Sequence, residues 1–214
     1  MIIEKIKNST LTDILGCITS ILFITGLSYQ YGFYGYLGLN APWVISLLGP
    51  KEILIVNIVL FTTYLMALLF LDSLLTKSDL DFKSLAIPAN GCIIGLILFW
   101  GYFKDSWTGA LFCFIVLLAF NSIISIIKLK IKFKIIGLII SILIIPFLNG
   151  VYIYHTHVEK NSLPKAILNN KDIWYLASTY SDKAVLISSM NFKKNIKIVD
   201  IKDIKLIESV GLSK

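Results

Sequence analysis

From Trp107 to Ile127, and again from Ile135 to Tyr154, the chain runs without one charged side chain. About 20 apolar residues in a helix cross the hydrocarbon core of a bilayer. Within that core a segment must satisfy its own backbone hydrogen bonds, so these runs are read as membrane helices. The same reading finds three further candidates, Thr12 to Tyr29, Ile53 to Leu75 and Ser84 to Phe103. The third of the five is interrupted early by Pro88 and Asn90, which leaves open a re-entrant segment and four spans in all. With 57% hydrophobic and 15% charged residues, against about a quarter charged in soluble domains, a soluble globule is excluded. A chain of 214 residues also has no room for a large catalytic domain beside the spans. The expected fold is an α-helical polytopic membrane protein of four to five helices over residues 1–154, followed by a small lysine-rich β tail over 155–214.

Lysine placement orients the spans. All 20 basic residues are lysine, and the net charge is +7. With five spans and the N-terminus inside, the inner segments hold Lys5, Lys7, Lys77, Lys83, Lys128, Lys130, Lys132 and Lys134, and the outer loops only Lys51 and Lys104. Cytoplasmic loops are enriched in lysine and arginine, and interfacial rings gather at the headgroups. Tyr29 to Trp43, Trp100 to Trp107, and Tyr152 with Tyr154 all fall on the outer side of this arrangement. The tail then lies outside; with four spans it lies in the cytoplasm. The opening Met1 to Lys7 leads into an apolar run without a small-residue cleavage site and reads as an uncleaved first span.

In the tail, Ile173–Tyr180 and Ala184–Ser188 read as a hairpin across Ser181-Asp182-Lys183. Asn191 to Asn195 makes a turn before Ile196 to Lys202, whose apolar and charged residues nearly alternate. Three or four strands in about 40 residues fall below the size that usually folds unaided, so this sheet is expected to lean on the membrane part, a second copy or a partner.

The candidate sites are few. The segment Tyr29 to Trp43 places Gly32, Gly35 and Gly38 among Tyr29, Tyr31, Tyr34, Tyr36 and Trp43. It reads as a headgroup-layer anchor, or as a surface that responds to the membrane interface through glycines that let the chain re-bend. Gly91 and Gly95 form a GxxxG, a close-packing face for contact within the chain or between copies. Asp13 and Asp72 lie near span ends, and Asn57 and Asn121 deeper, where they suit interhelical hydrogen bonds. A pair of imidazoles, His155 and His157, would share one side of an extended segment. Cys17, Cys92 and Cys113 sit in apolar runs as small hydrophobes. No span carries a midplane charge, which argues against a proton-coupled transporter or voltage sensor. Nucleophile elbows, P-loops, zinc helices and dinucleotide-binding glycines are missing, so no enzyme, cofactor or metal is expected. The absence of arginine argues against direct nucleic-acid recognition.

The lysine-flanked first span, the aromatic-glycine segment Tyr31 to Trp43, the further short spans and the tail ending Val199-Asp200-Ile201-Lys202-Asp203-Ile204-Lys205-Leu206-Ile207 resemble the small membrane subunits encoded in bacterial anti-phage defence loci, the membrane subunit of the Kiwa system in particular. That family has four spans, from which five depart. The resemblance implies an inner-membrane homo-oligomer that detects envelope disturbance and docks a cytoplasmic DNA-binding effector. Lys77, Lys128, Lys130, Lys132 and Lys134 would then be the docking residues. Two other classes fit the same composition, a membrane immunity protein against a pore-forming toxin and a small ion channel.

Overall fold

The structure, a computed structural model, describes residues 10–77, 82–159, 163–169, 172–188 and 195–208. Helix α1 (Leu11–Tyr34) opens on a Thr10 cap whose hydroxyl accepts the Asp13 N–H, supplying a partner for one of the donors a helix start leaves unpaired. A 3-10 turn (Pro42–Leu47) leads to the short α2 (Pro50–Val56) and then to α3 (Ile58–Lys77). The expected second span is therefore broken, with α2 and the following helix through Ser73 bent by 43°. The break is at Asn57, which is buried and whose Nδ2 donates to the Thr25 carbonyl at 2.9 Å.

Helix α4 (Phe82–Leu98) carries Pro88 in its interior and runs on as a π-helical turn, Phe99–Phe103. Pro88 removes one backbone donor but does not end the helix. After α5 (Trp107–Lys128), α6 (Ile131–Ile139) continues through a π-helical turn at Ile140–Ile144 into α7 (Ile145–Glu159). The helical part thus extends past the expected boundary at residue 154. Among the described residues, three helical runs are long and apolar enough to cross a membrane, Ala86–Phe103, Trp107–Lys128 and Ile131–His157, or four if the bent α2–α3 pair is one span. The 24-residue α1 is more polar, with Thr25, Ser28, Tyr29, Gln30 and Tyr31 in its second half.

Contacts fix the helix directions. Ser28 Oγ donates to the Leu143 carbonyl, and Gly32 abuts Phe147 and Val151, so α1 runs parallel to α6–α7. Gly26 against Ile53 and Thr25 against Asn57 set α2–α3 antiparallel to α1. Paired amides of Asn90 and Asn121 at one end, and Trp100 over Gly109 at the other, make α4–α5 an antiparallel hairpin. Gly137 meets Ser122 and Ser125, which turns α6 back along α5. Among the described residues, the helices run in alternating direction five times, counting α2–α3 and α6–α7 each as one. Tyr34, Phe103 and the end of α7 come to one end, and Lys77 and Lys128 to the other.

The tail forms strands β1 (Lys165–Leu168), β2 (Ile173–Tyr180), β3 (Lys183–Ile187), β4 (Ile196–Asp200) and β5 (Ile204–Glu208) in the antiparallel order β4-β3-β2-β1-β5. Five strands lying flat would hold the outer two about 19 Å apart. Yet β4 and β5 are joined by only the 3-10 turn Ile201–Asp203, which advances about 2 Å per residue. The sheet must curl into an open barrel. Its concave core takes Ala166, Leu168, Trp174, Leu176, Ala184, Leu186, Val199 and Ile204, so every strand contributes. The convex side of β2 to β4 packs on the helices through Tyr180, Val185 and Ile187. β3 is buried on both faces, which is why Ala184 to Ile187 reads as a continuous apolar run.

Candidate functional site

The joint between helices and barrel is built from the aromatic-glycine segment. At the end of α1 the chain folds back over the helix, with the N–H of Gly35, Leu39 and Ala41 donating to the carbonyls of Tyr31, Phe33 and Tyr34 at 2.9, 2.7 and 2.6 Å. These bonds satisfy carbonyls that a helix end leaves without partners. None of the segment's glycines has positive φ; Asn40 does, at 57°. Gly35 and Gly38 serve instead to admit backbone, since a Cβ on either would overlap carbonyl oxygens of the last turn of α1. In the structure the segment forms a tightly hydrogen-bonded cap on α1.

This cap sorts the aromatic residues onto two sides. Tyr34 is 1% exposed and packs with Phe33, Leu39, Ala41, Val44, Tyr154 and the barrel residues Tyr180, Val185 and Ile187. Its hydroxyl is hydrogen-bonded to Ser178 on β2. Tyr29 packs against the same cluster. Tyr31, Tyr36 and Trp43 face outward, at 52%, 78% and 51% exposure. The expected five-residue surface is thus three outward rings backed by two that hold the fold. On the far side of the joint, the Ser181 N–H in the β2–β3 turn donates to Glu52 Oε1 at 3.2 Å, tying the barrel to α2.

The other expected sites separate widely. Lys128, Lys130 and Lys132 lie around the α5–α6 turn, and Lys134 is half-buried with its Nζ donating to the Ile127 carbonyl at 3.4 Å. Lys77 ends α3, and its side chain lies outside the described residues. The 22 residues of α5 put about 33 Å between this end and the barrel end. A Cβ added to Gly91 or Gly95 would meet nothing within 4 Å, so the close-contact reading within the chain is not the one this fold uses. Close contact occurs instead at Gly32, where a Cβ would overlap the Phe147 carbonyl, and at Gly150, where it would overlap the Tyr29 carbonyl. Sequence reasoning missed this pair because the two glycines lie on different helices and form no spaced motif.

His155 and His157 lie on α7, not on an extended segment. At 100° per residue they are about 200° apart, so they point away from each other, and His155 Nε2 approaches the Leu37 carbonyl at 3.2 Å. Among the described residues no three His, Cys, Asp or Glu side chains gather as a metal site. Asn121 Nδ2 donates to Asn90 Oδ1 at 2.9 Å, and Asn90 Nδ2 returns the bond at 3.1 Å. Asn121→Leu is expected to destabilise the chain by about 1 kcal/mol, the scale of interhelical polar pairs, measured as a lower thermal midpoint in detergent. Asn90→Leu added to it should cost little more, because the pair acts as a unit.

No protein-family model matches the chain, no curated protein is significantly similar to it, and no solved structure matches it.

Proposed function

We propose that the chain is a sensor and scaffold subunit of a bacterial inner membrane, acting in anti-phage defence without catalysis of its own. The observation that carries this reading is the joint at Tyr29 to Trp43. One face of a single short segment presents Tyr31, Tyr36 and Trp43, while the other face holds the barrel on the ends of α1 and α7. Interfacial Tyr and Trp have strong depth preferences, so a component inserting beside these rings acts on the element to which the barrel is fixed. A stimulus shifts a conformational equilibrium only as far as it interacts differently with the two states. An inserted phage component meets that condition better than a soluble metabolite does.

In this reading the helices make five spans, the barrel is outside, and the lysine-bearing α5–α6 turn receives a cytoplasmic effector. The defence role itself rests on the resemblance described above. Gly91 and Gly95, open on the surface of α4, supply a face for self-association into a homo-oligomer.

The test is the triple substitution Tyr31→Ala, Tyr36→Ala and Trp43→Ala, which leaves the buried rings intact. Cells expressing it at normal levels should lose protection against phage, while the protein still inserts and still binds its effector. Undiminished protection would reduce the segment to an anchor. Alkaline phosphatase fused after Lys214 should be active; an inactive fusion together with a fluorescent cytoplasmic reporter would place the barrel inside and remove the outer-sensor reading.

A further inference from the structure

A crevice of about 620 Å³ lies between α1, α3 and the α6–α7 run, apart from the joint and from the lysine turn. Its walls are aliphatic and aromatic, among them Ile18, Ile21, Leu60, Leu65 and Ile142. The polar groups at its floor are already engaged. Asn57 Nδ2 bonds the Thr25 carbonyl, and the Tyr64 hydroxyl is shared with Ser122 and Ser141. Little is left to recognise a polar ligand, whereas apolar cavities of even about 150 Å³ take up hydrocarbon in preference to water.

Its length and its end groups narrow the choice. Along α1 the crevice runs from Asp13 to Thr25, about 18 Å at 1.5 Å per residue. One leaflet contributes about half of a 30 Å hydrocarbon core. The slot therefore matches one leaflet in depth, with the polar floor near the midplane and the Asp13 carboxylate at the headgroup level. The outer faces of α1 and α3 beside it are exposed and apolar at Leu15, Ile24, Val59 and Met66, so a ligand reaches it from the bilayer, where acyl chains are the most abundant species. We infer that this crevice binds one acyl chain of an ethanolamine phospholipid, whose ammonium group pairs with Asp13. The inference rests on the five-span reading proposed above, but not on the sensing role.

The full chain, reconstituted in nanodiscs containing phosphatidylethanolamine and phosphatidylglycerol and released into mild detergent, should retain one phosphatidylethanolamine by native mass spectrometry. Leu60→Trp with Ile142→Trp fills the slot and should abolish retention while helical circular dichroism is unchanged. Asp13→Asn should keep a bound lipid but lose the preference between the two headgroups. A wild-type chain without lipid, or a filled variant that keeps it, would overturn the site. An unchanged preference in Asp13→Asn would overturn the headgroup assignment. Should the filled variant not fold, a phosphatidylethanolamine with a photoreactive acyl chain on the unaltered protein decides the matter. Label retained after delipidation should map to residues 17–25 and 60–68, and retention on the surface of α4 instead would overturn the proposal.

Discussion

Gly32→Val is expected to abolish the folded state. The added side chain would occupy the space of the Phe147 carbonyl and press on the Val151 N–H, and helix backbone cannot move aside as a flexible side chain can. Overpacking a core commonly costs about 1–3 kcal/mol; a clash with the backbone of a partner helix lies above that range. Net stabilities are on the order of 5–15 kcal/mol, so the loss would show as failure to accumulate in the membrane or as a collapsed thermal midpoint in detergent. Gly150→Val should do the same from the other helix, because its Cβ would meet the Tyr29 carbonyl. By contrast, Gly91→Ile with Gly95→Ile should leave the midpoint of the monomer unchanged, since both positions open onto free space, and should weaken any oligomer seen by light scattering. A wild-type midpoint for Gly32→Val would mean that α1 and α7 do not cross where the structure places them.

Tyr34→Ala is expected to release the barrel from the helices. Truncating a fully buried aromatic side chain costs about 3–5 kcal/mol, and here Ser178 also loses its partner. The barrel has a concave core of its own but too few residues to be stable without support. Limited proteolysis should therefore cut the variant between α7 and the end of the chain under conditions that leave the wild type whole. Tyr36→Ala, at 78% exposure, should change proteolysis little. That contrast separates the two sides of the aromatic segment by measurement, and equal sensitivity of the two variants would undo the division.

Several features were legible in the sequence because they depend on local pattern. Uncharged runs at Trp107 to Ile127 and Ile135 to Tyr154 can satisfy their backbone only as helices in an apolar medium, and both are helical here. The β2–β3 hairpin followed from two β-rich runs separated by a polar turn. The strands β1 and β5 escaped notice. β1 has only four residues, and β5, with Lys205 and Glu208 among its apolar residues, is exposed along most of its length. Its alternation continues that of β4 so closely that the intervening 3-10 turn is invisible without the fold.

The aromatic segment shows the same division within single residues. Composition placed Tyr29, Tyr31, Tyr34, Tyr36 and Trp43 together near one end of the first helix, and that grouping is what the chain has. Which rings face outward was not available from it, because the sorting depends on a fold-back over the end of α1 and on a barrel contributed by residues far along the chain, as in the Tyr34–Ser178 contact. Likewise, a glycine in a helix reads the same whether it faces lipid or another backbone. Gly91 and Gly95 carry the recognisable helix-packing spacing, yet a Cβ on either would meet nothing within 4 Å, while Gly32 and Gly150 share no such spacing and make a close crossing of two backbones. Hydrophobic length and charge placement are properties of one segment and survive in the linear order of residues. Close approach, burial and the crevice between α1 and α3 are properties of pairs of segments, and they exist only once the helices have been brought together.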